Sequence, residues 1–134
     1  PPALLRTKPP AGAAPAFSAE IPTRRDQALL YRLSGDINPI HSRPDVARAA
    51  GFDRPILHGL CTYGIAARAA LKALAGDDPA RFASFEARFA KVVMPGDTLL
   101  VEGYLLEEPG QAAVTVKVKE TGDAAIANAL FSYR

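Results

Sequence analysis

The segment from residue 54 to residue 76, RPILHGLCTYGIAARAALKALAG, decides the fold, because it predicts a helix that is apolar on nearly every side. Apolar or small residues recur along it at three- and four-residue steps: Leu57, Leu60, Gly64, Ala67, Leu71 and Leu74. Most residues between them are also small or apolar. A helix on a solvated surface needs a broad polar face, so this one is expected to be enclosed by the rest of the chain.

After Gly76 the apolar period changes from that of a helix to the two-residue period of strands. Four segments alternate in this way: SFEARFAKVV (84–93), TLLVEGYLLEE (98–108), AAVTVKVKE (112–120) and AAIANALFSYR (124–134). The turn sequences MPGD, EPG and TGD separate them, which predicts four consecutive antiparallel strands in a meander. FSAEIP (17–22) alternates too and predicts an earlier strand. The pattern as a whole indicates an α+β fold in which a curled antiparallel sheet wraps one long central helix.

Two shorter helices are predicted before the central one. Thr23 is a candidate N-cap, with Asp26 in the position of a capping-box acid, for a helix that ends at Gly35. The second covers residues 43–51, with Pro44 in its first turn and Gly51 as its end. In the first of these helices, three residues are expected to face the core: Leu29, Leu30 and Leu33.

Length and composition indicate one domain with an ordinary charge balance. The chain has 134 residues, of which 49% are hydrophobic, and a net charge of +2. Its 16 Lys and Arg residues are scattered, which argues against a nucleic-acid partner. Residues 1–16, PPALLRTKPPAGAAPA, hold five prolines and predict a Pro/Ala-rich linker, and residues 17–134 form the predicted domain.

The location expected for the domain is the cytoplasm, in the manner of a bacterial enzyme. Arg68 and Lys72 interrupt the longest apolar stretch well before the ~20 residues of a membrane helix, so no membrane partner is expected. Neither a signal-type hydrophobic region nor a C-terminal peroxisomal signal is evident. The single cysteine, Cys61, cannot form an internal disulfide.

The loop SGDINPIH (34–41) gathers an aspartate, an asparagine and one of the two histidines within six positions. Asp36 and Asn38 favour turns in which their side chains bond to nearby backbone, so an Asx-type turn explains them without any chemistry. Read together with the next segment, however, the loop belongs to a longer pattern. YRLSGDINPIH (31–41) followed by AGFDRPILHGLCTYG (50–64) closely resembles the hydratase-2 motif of the MaoC-like, R-specific enoyl-CoA hydratases.

The resemblance extends beyond the motif. RFASFEARFAKVVMPGDTL (81–99) and KETGDAAIANA (119–129) are similar to the later strands of that family, so the likeness covers roughly residues 24–130. It implies the hot dog fold, whose curled sheet wraps a central helix. Among the relatives it implies, the chain looks like the catalytic C-terminal half of peroxisomal-type multifunctional enzymes.

The resemblance also implies roles for individual residues. Asp36 and His41 together bind and activate a water molecule, and the amide of Gly59 forms the oxyanion hole. Asn38 holds the loop or the water. On the predicted strand 84–93, Phe89 matches a position that contacts substrate, and two neighbouring cations are candidates for binding the phosphates of coenzyme A: Arg88 and Lys91.

The implied activity is the reversible hydration of trans-2-enoyl-CoA to (3R)-3-hydroxyacyl-CoA, a hydro-lyase reaction that needs neither a metal nor a redox cofactor. A hot dog acyl-CoA thioesterase and a non-catalytic subunit that binds acyl thioesters are the alternatives. Asp36, His41 and His58 imitate the two-histidine, one-carboxylate iron site, but loop spacing alone fixes no such geometry. For His58 a capping or packing role is expected, and for Cys61 a packing role.

A second hot dog domain is the expected protein partner, either a second copy or a motif-lacking N-terminal half. A wrapped sheet leaves edge strands with unpaired N–H and C=O groups, which proteins normally cover. The sequence therefore predicts that the chain works as one half of a pair.

Overall fold

The computed structural model describes residues 7–134 and has the predicted α+β architecture. Five strands and three α-helices follow one another in the order β1 (Phe17–Pro22), α1 (Gln27–Tyr31), α2 (Pro44–Ala49), α3 (Gly59–Leu74), β2 (Phe82–Phe89), β3 (Thr98–Leu105), β4 (Gln111–Val118) and β5 (Ala124–Tyr133). The early strand, the 16-residue central helix and the four later strands are thus confirmed.

All five strands form one antiparallel sheet in the order β1-β3-β4-β5-β2. β3, β4 and β5 are a meander, but β2 pairs with β5 at the far edge and not with β3, so the predicted four-strand meander is wrong. A two-residue period identifies a strand without identifying its neighbour. The MPGD segment forms a local turn, in which the Met94 N–H donates to the Asp97 side chain at 2.9 Å, and it closes no hairpin.

The core lies between α3 and the sheet. One face of α3 is buried through Ala66, Ala70 and Leu71, which pack against fully buried sheet residues such as Val101 and Phe131. The prediction that this helix is enclosed on nearly every side holds only in part. Leu60 is 59% exposed, and Gly64 and Arg68 are exposed along the same side of the helix.

The predicted capping role of Thr23 is wrong. Its hydroxyl donates to the Asp97 carbonyl at 2.7 Å and accepts the Gly96 N–H at 2.9 Å, so it ties the end of β1 to the turn before β3. α1 begins at Gln27 without a side-chain cap from Asp26. It is short, and a 3-10 turn continues it to the predicted end at Gly35, which has a φ of 117°.

The three leucines expected in the core are instead exposed, by 52% at Leu29, 55% at Leu30 and 80% at Leu33. The residue of α1 that packs inward is Ala28, which is 2% exposed. Ile37, 68% exposed, follows in the next loop. These four large residues, Leu29, Leu30, Leu33 and Ile37, are called the α1 apolar surface below.

Helix α2 agrees with its prediction, with Pro44 at its start and Gly51, at a φ of 93°, just beyond its end. Within the predicted linker, residues 7–16 lie outside any helix or strand, while residues 1–6 lie outside the described residues, so the linker stays a prediction. In the described part of the chain, every helix is too short or too polar to cross a membrane.

Candidate active site

The loop between α1 and α2 is braced by its own side chains. Asp36 Oδ1 accepts the Asn38 N–H at 3.1 Å, and Asn38 Oδ1 accepts the Ile40 N–H at 3.1 Å. The second bond caps a 3-10 turn, Pro39–His41. The Asx-type turn is therefore real, and it orients the residues of the motif: it uses one carboxylate oxygen of Asp36 and leaves the other without a protein partner among residues 7–134.

The tautomer of His41 follows from its backbone contact. Its Nδ1 lies 2.8 Å from the carbonyl oxygen of Ile56. A carbonyl oxygen only accepts, so Nδ1 carries the proton of the neutral ring and Nε2 presents a bare lone pair. The His41 ring is thus held by the segment before α3 as a ready acceptor of a proton.

Three side chains of the two motif segments converge. A carboxylate oxygen of Asp36, a nitrogen of His41 and a nitrogen of His58 lie within 4.8 Å of one another. The two rings are stacked, with centroids 3.7 Å apart and planes inclined by 24°. Lone pairs in such nearly parallel planes do not converge on one ion at the ~2.0–2.1 Å of a metal–imidazole bond. The convergence favours proton transfer over metal binding.

A pocket of about 160 Å³ opens beside His41, between the start of α3 and the segment after β2. Gly59 is the first residue of α3, and within the described chain its N–H donates no hydrogen bond. The Phe89 ring closes over it, 3.2 Å from the position that a Cβ would occupy. A free N–H at the positive end of a 16-residue helix therefore borders the pocket, where it can stabilise a developing negative oxygen.

The two cations proposed from the sequence differ in position. Lys91 lines the pocket and donates to Asp123 at 2.9 Å, and this ammonium lowers the pKa of the Asp123 carboxyl. Arg88 is exposed and is absent from the pocket lining. Since side chains alternate along a strand, it projects from the face of β2 opposite to Phe89. The structure therefore brings Gly59, Phe89 and Lys91 together with His41, and leaves Arg88 outside.

Two residues at the start of α3 also belong to the site: His58, its N-cap, and Thr62, to which the sequence assigned no role. His58 is 2% exposed and makes no side-chain capping bond, so of the two expected roles, capping or packing, the structure shows packing. Thr62, also 2% exposed, lines the pocket one turn after Gly59. Cys61 is packed as expected, and burial raises the pKa of its thiol.

The family model described as "MaoC like domain" matches residues 6–129. The chain belongs to the MaoC-like domain family. This MaoC-like domain is 51% identical over 107 residues to the mouse peroxisomal multifunctional enzyme type 2, covering 80% of the chain and 14% of that protein. It is 46% identical over 113 residues to enoyl-CoA hydratase 2, peroxisomal, of Arabidopsis thaliana, covering 84% and 36% respectively.

Among solved structures, a MaoC-like dehydratase from Phytophthora capsici superposes with a TM-score of 0.91 at 40% identity. The match covers 96% of this chain and 45% of that one. The hot dog fold and the family resemblance are thereby confirmed. The MaoC-like domain spans 14% and 36% of the two curated relatives, well short of their full length.

Proposed function

We propose that this MaoC-like domain catalyses the reversible addition of water to trans-2-enoyl-CoA, giving (3R)-3-hydroxyacyl-CoA. The observation that carries the proposal is the bond from His41 Nδ1 to the Ile56 carbonyl. It leaves Nε2 bare on a ring that clusters with the Asp36 carboxylate. A base and an acceptor held close together on one braced loop suit the activation of a single water molecule.

The proton transfers balance as follows. Water hydrogen-bonds to the free oxygen of Asp36 and to Nε2 of His41, and its oxygen attacks the β carbon of the enoyl thioester. One proton of the water passes to the pair of side chains, and the electrons of the double bond move to the thioester oxygen as an enolate. The α carbon then takes a proton from the same pair, so oxygen and hydrogen add to one face.

The enolate oxygen needs a donor that is already in position. The Gly59 N–H has this property, because it begins α3, borders the pocket and has no other acceptor in the described chain. Removing a single donor of this kind usually costs ~10² to 10³ in rate. Phe89, packed against Gly59, is the proposed contact for the thioester end of the substrate.

The names of the relatives agree with this chemistry. The Arabidopsis relative is an enoyl-CoA hydratase 2, and the Phytophthora protein is a MaoC-like dehydratase, which names the same reaction in the opposite direction. Both matches cover most of this chain at 40% identity or more.

The test is to follow loss of the enoyl absorbance of crotonyl-CoA while a thiol reagent monitors free coenzyme A. Hydration without thiol release is expected, and Asp36→Asn is expected to lower its rate at least ~10²-fold. Asp45→Asn, which removes an exposed carboxylate of α2 paired only with Arg43, is the matched control. Thiol release would favour a thioesterase, and binding without turnover would favour a non-catalytic subunit.

Lys91 is the proposed contact for a phosphate of coenzyme A, since it is the cation of the pocket lining. A phosphate there would compete with Asp123 for the ammonium. Lys91→Gln is expected to raise KM for crotonyl-CoA with little change in kcat, and Arg88→Gln serves as the control. Equal KM values for Lys91→Gln and the unchanged chain would show that Lys91 does not contact coenzyme A.

We further propose that a second hot dog domain covers this one. The α1 apolar surface is large for a solvated helix and lies beside the catalytic loop. β1 and β2 are edge strands, and the chain spans less than half of the Phytophthora protein. Sedimentation should therefore detect association at micromolar concentration, and Leu33→Glu should weaken it. A stable, fully active monomer would contradict this proposal.

A further inference from the structure

His58 occupies a closed position behind the two proposed catalytic side chains. It is 2% exposed and lies between two rings, those of His41 at 3.7 Å and of Tyr31 at 4.7 Å between centroids. The His58 ring contacts the face of the His41 ring, whereas the bond from His41 to the Ile56 carbonyl is made at the ring edge. The stack therefore fixes the plane of the His41 ring without breaking that bond. Any rotation of His41 would disturb this contact.

The same residue holds the catalytic loop through the backbone. His58 Nε2 lies 3.0 Å from the carbonyl oxygen of Asp36. The carbonyl accepts, so Nε2 carries the proton and Nδ1 of the neutral ring is bare. One side chain thus contacts both members of the proposed pair, Asp36 by a hydrogen bond and His41 by stacking.

The bare nitrogen of His58 is buried, and among the described residues it has no hydrogen-bond partner. The other buried side-chain atom in that state is the hydroxyl oxygen of Thr62. With Nδ1 unpaired, the bond to the Asp36 carbonyl is the contact that sets the tautomer of His58.

We propose that His58 is a positioning residue, which aligns Asp36 and His41 for the hydration reaction and is itself held in the Nε2–H tautomer by the Asp36 carbonyl. The inference rests on the proposed function for its effect on rate. Its structural content, the tautomer and the fixed His41 ring, is independent of the substrate.

Two substitutions separate the two contacts. His58→Gln keeps an N–H donor near the Asp36 carbonyl and loses the stacked ring, whereas His58→Phe keeps a ring and loses the donor. Each is expected to lower kcat at least ~10-fold while KM changes less than ~3-fold, because misplacing reacting groups slows chemistry more than binding. Wild-type kcat in both folded variants would overturn the proposal, as would a raised KM at unchanged kcat.

Imidazole nitrogen NMR tests the geometry directly, since the chain has only two histidines. At neutral pH the free protein should contain His58 as the Nε2–H tautomer and His41 as the Nδ1–H tautomer. A charged or Nδ1–H His58 in the unchanged chain would overturn the proposal even where the His58 variants fail to fold. Correct tautomers without hydration would instead count against the proposed function.

Discussion

Gly59→Ala is the substitution whose effect can be worked out most fully from the structure. The new Cβ would lie 3.2 Å from one atom of the Phe89 ring and 3.4 Å from two others. Carbon atoms prefer to be about 3.5–4.0 Å apart, so the ring and the start of α3 would have to separate by roughly 0.3–0.8 Å. This displacement falls on the residue whose N–H is proposed to stabilise the enolate.

The expected loss of kcat is about 10- to 100-fold. Complete loss of one oxyanion donor costs ~10² to 10³, and a misplacement of about 1 Å costs up to ~10². Stability should change little, because alanine favours helix over glycine by at most ~1 kcal/mol and this gain opposes the strain against Phe89.

The assay is steady-state hydration of crotonyl-CoA together with urea unfolding. Gly64→Ala is the matched control, since it adds the same methyl group to the same helix at a position with no atom within 4 Å of the new Cβ. A folded Gly59→Ala variant with kcat within twofold of the unchanged chain would refute the oxyanion role of this N–H. A raised KM with normal kcat would assign Gly59 and Phe89 to binding alone.

Three further predictions concern chemistry, packing and pH. Asp36→Asn and His41→Ala should each lower turnover at least ~10²-fold while the protein remains folded, and the double variant should be little worse than the worse single one; effects that multiply would contradict a shared water. Gly103→Ala would make the new Cβ overlap the Phe17 ring and should lower the free energy of unfolding by ~1–3 kcal/mol in urea titrations. The backbone N–H of Thr98 lowers the pKa of Glu120, so its contribution is complete above the ordinary value of 4.5 and is lost as pH falls below it; thermal melts of Glu120→Gln should lose this part of the acid sensitivity.

Local patterns in the sequence predicted the elements well and their neighbours poorly. Period-two alternation identified β2 but could not show whether β3 or β5 is its partner. Apolar and polar residues alternate in the same way in a strand that pairs with the next strand and in one that pairs with a distant strand. Thr23 satisfied a helix-capping pattern, yet its hydroxyl bonds to Asp97, which is 74 residues away in the chain. Contacts of that separation leave no local signal.

The inward orientation expected for Leu29, Leu30 and Leu33 failed for a different reason. An apolar face predicts burial without saying what covers it, and in this chain the space against the core is taken by Ala28. If the proposed second hot dog domain lies on this surface, the apolar pattern of α1 indicates an interface between two domains and not the interior of one domain.

Within the site, the family resemblance predicted Asp36, His41, Gly59 and Phe89; His41 lies close to Asp36 and lines one pocket with Gly59 and Phe89. Arg88 was chosen because it is basic and close to Phe89 in sequence, and strand alternation separates the two. The role inferred for His58 required the stack on His41 and the bond to the Asp36 carbonyl, which join segments separated by 17 and 22 residues.

The measurement that tests the central claim most directly is chiral analysis of the product formed from crotonyl-CoA by the assembled protein. Asp36 and His41 are proposed to deliver the water and the proton to one face of the double bond. The resemblance to an R-specific family implies which face this is. The account predicts predominantly (3R)-3-hydroxybutyryl-CoA. A predominantly S product, or release of coenzyme A without hydration, would contradict it.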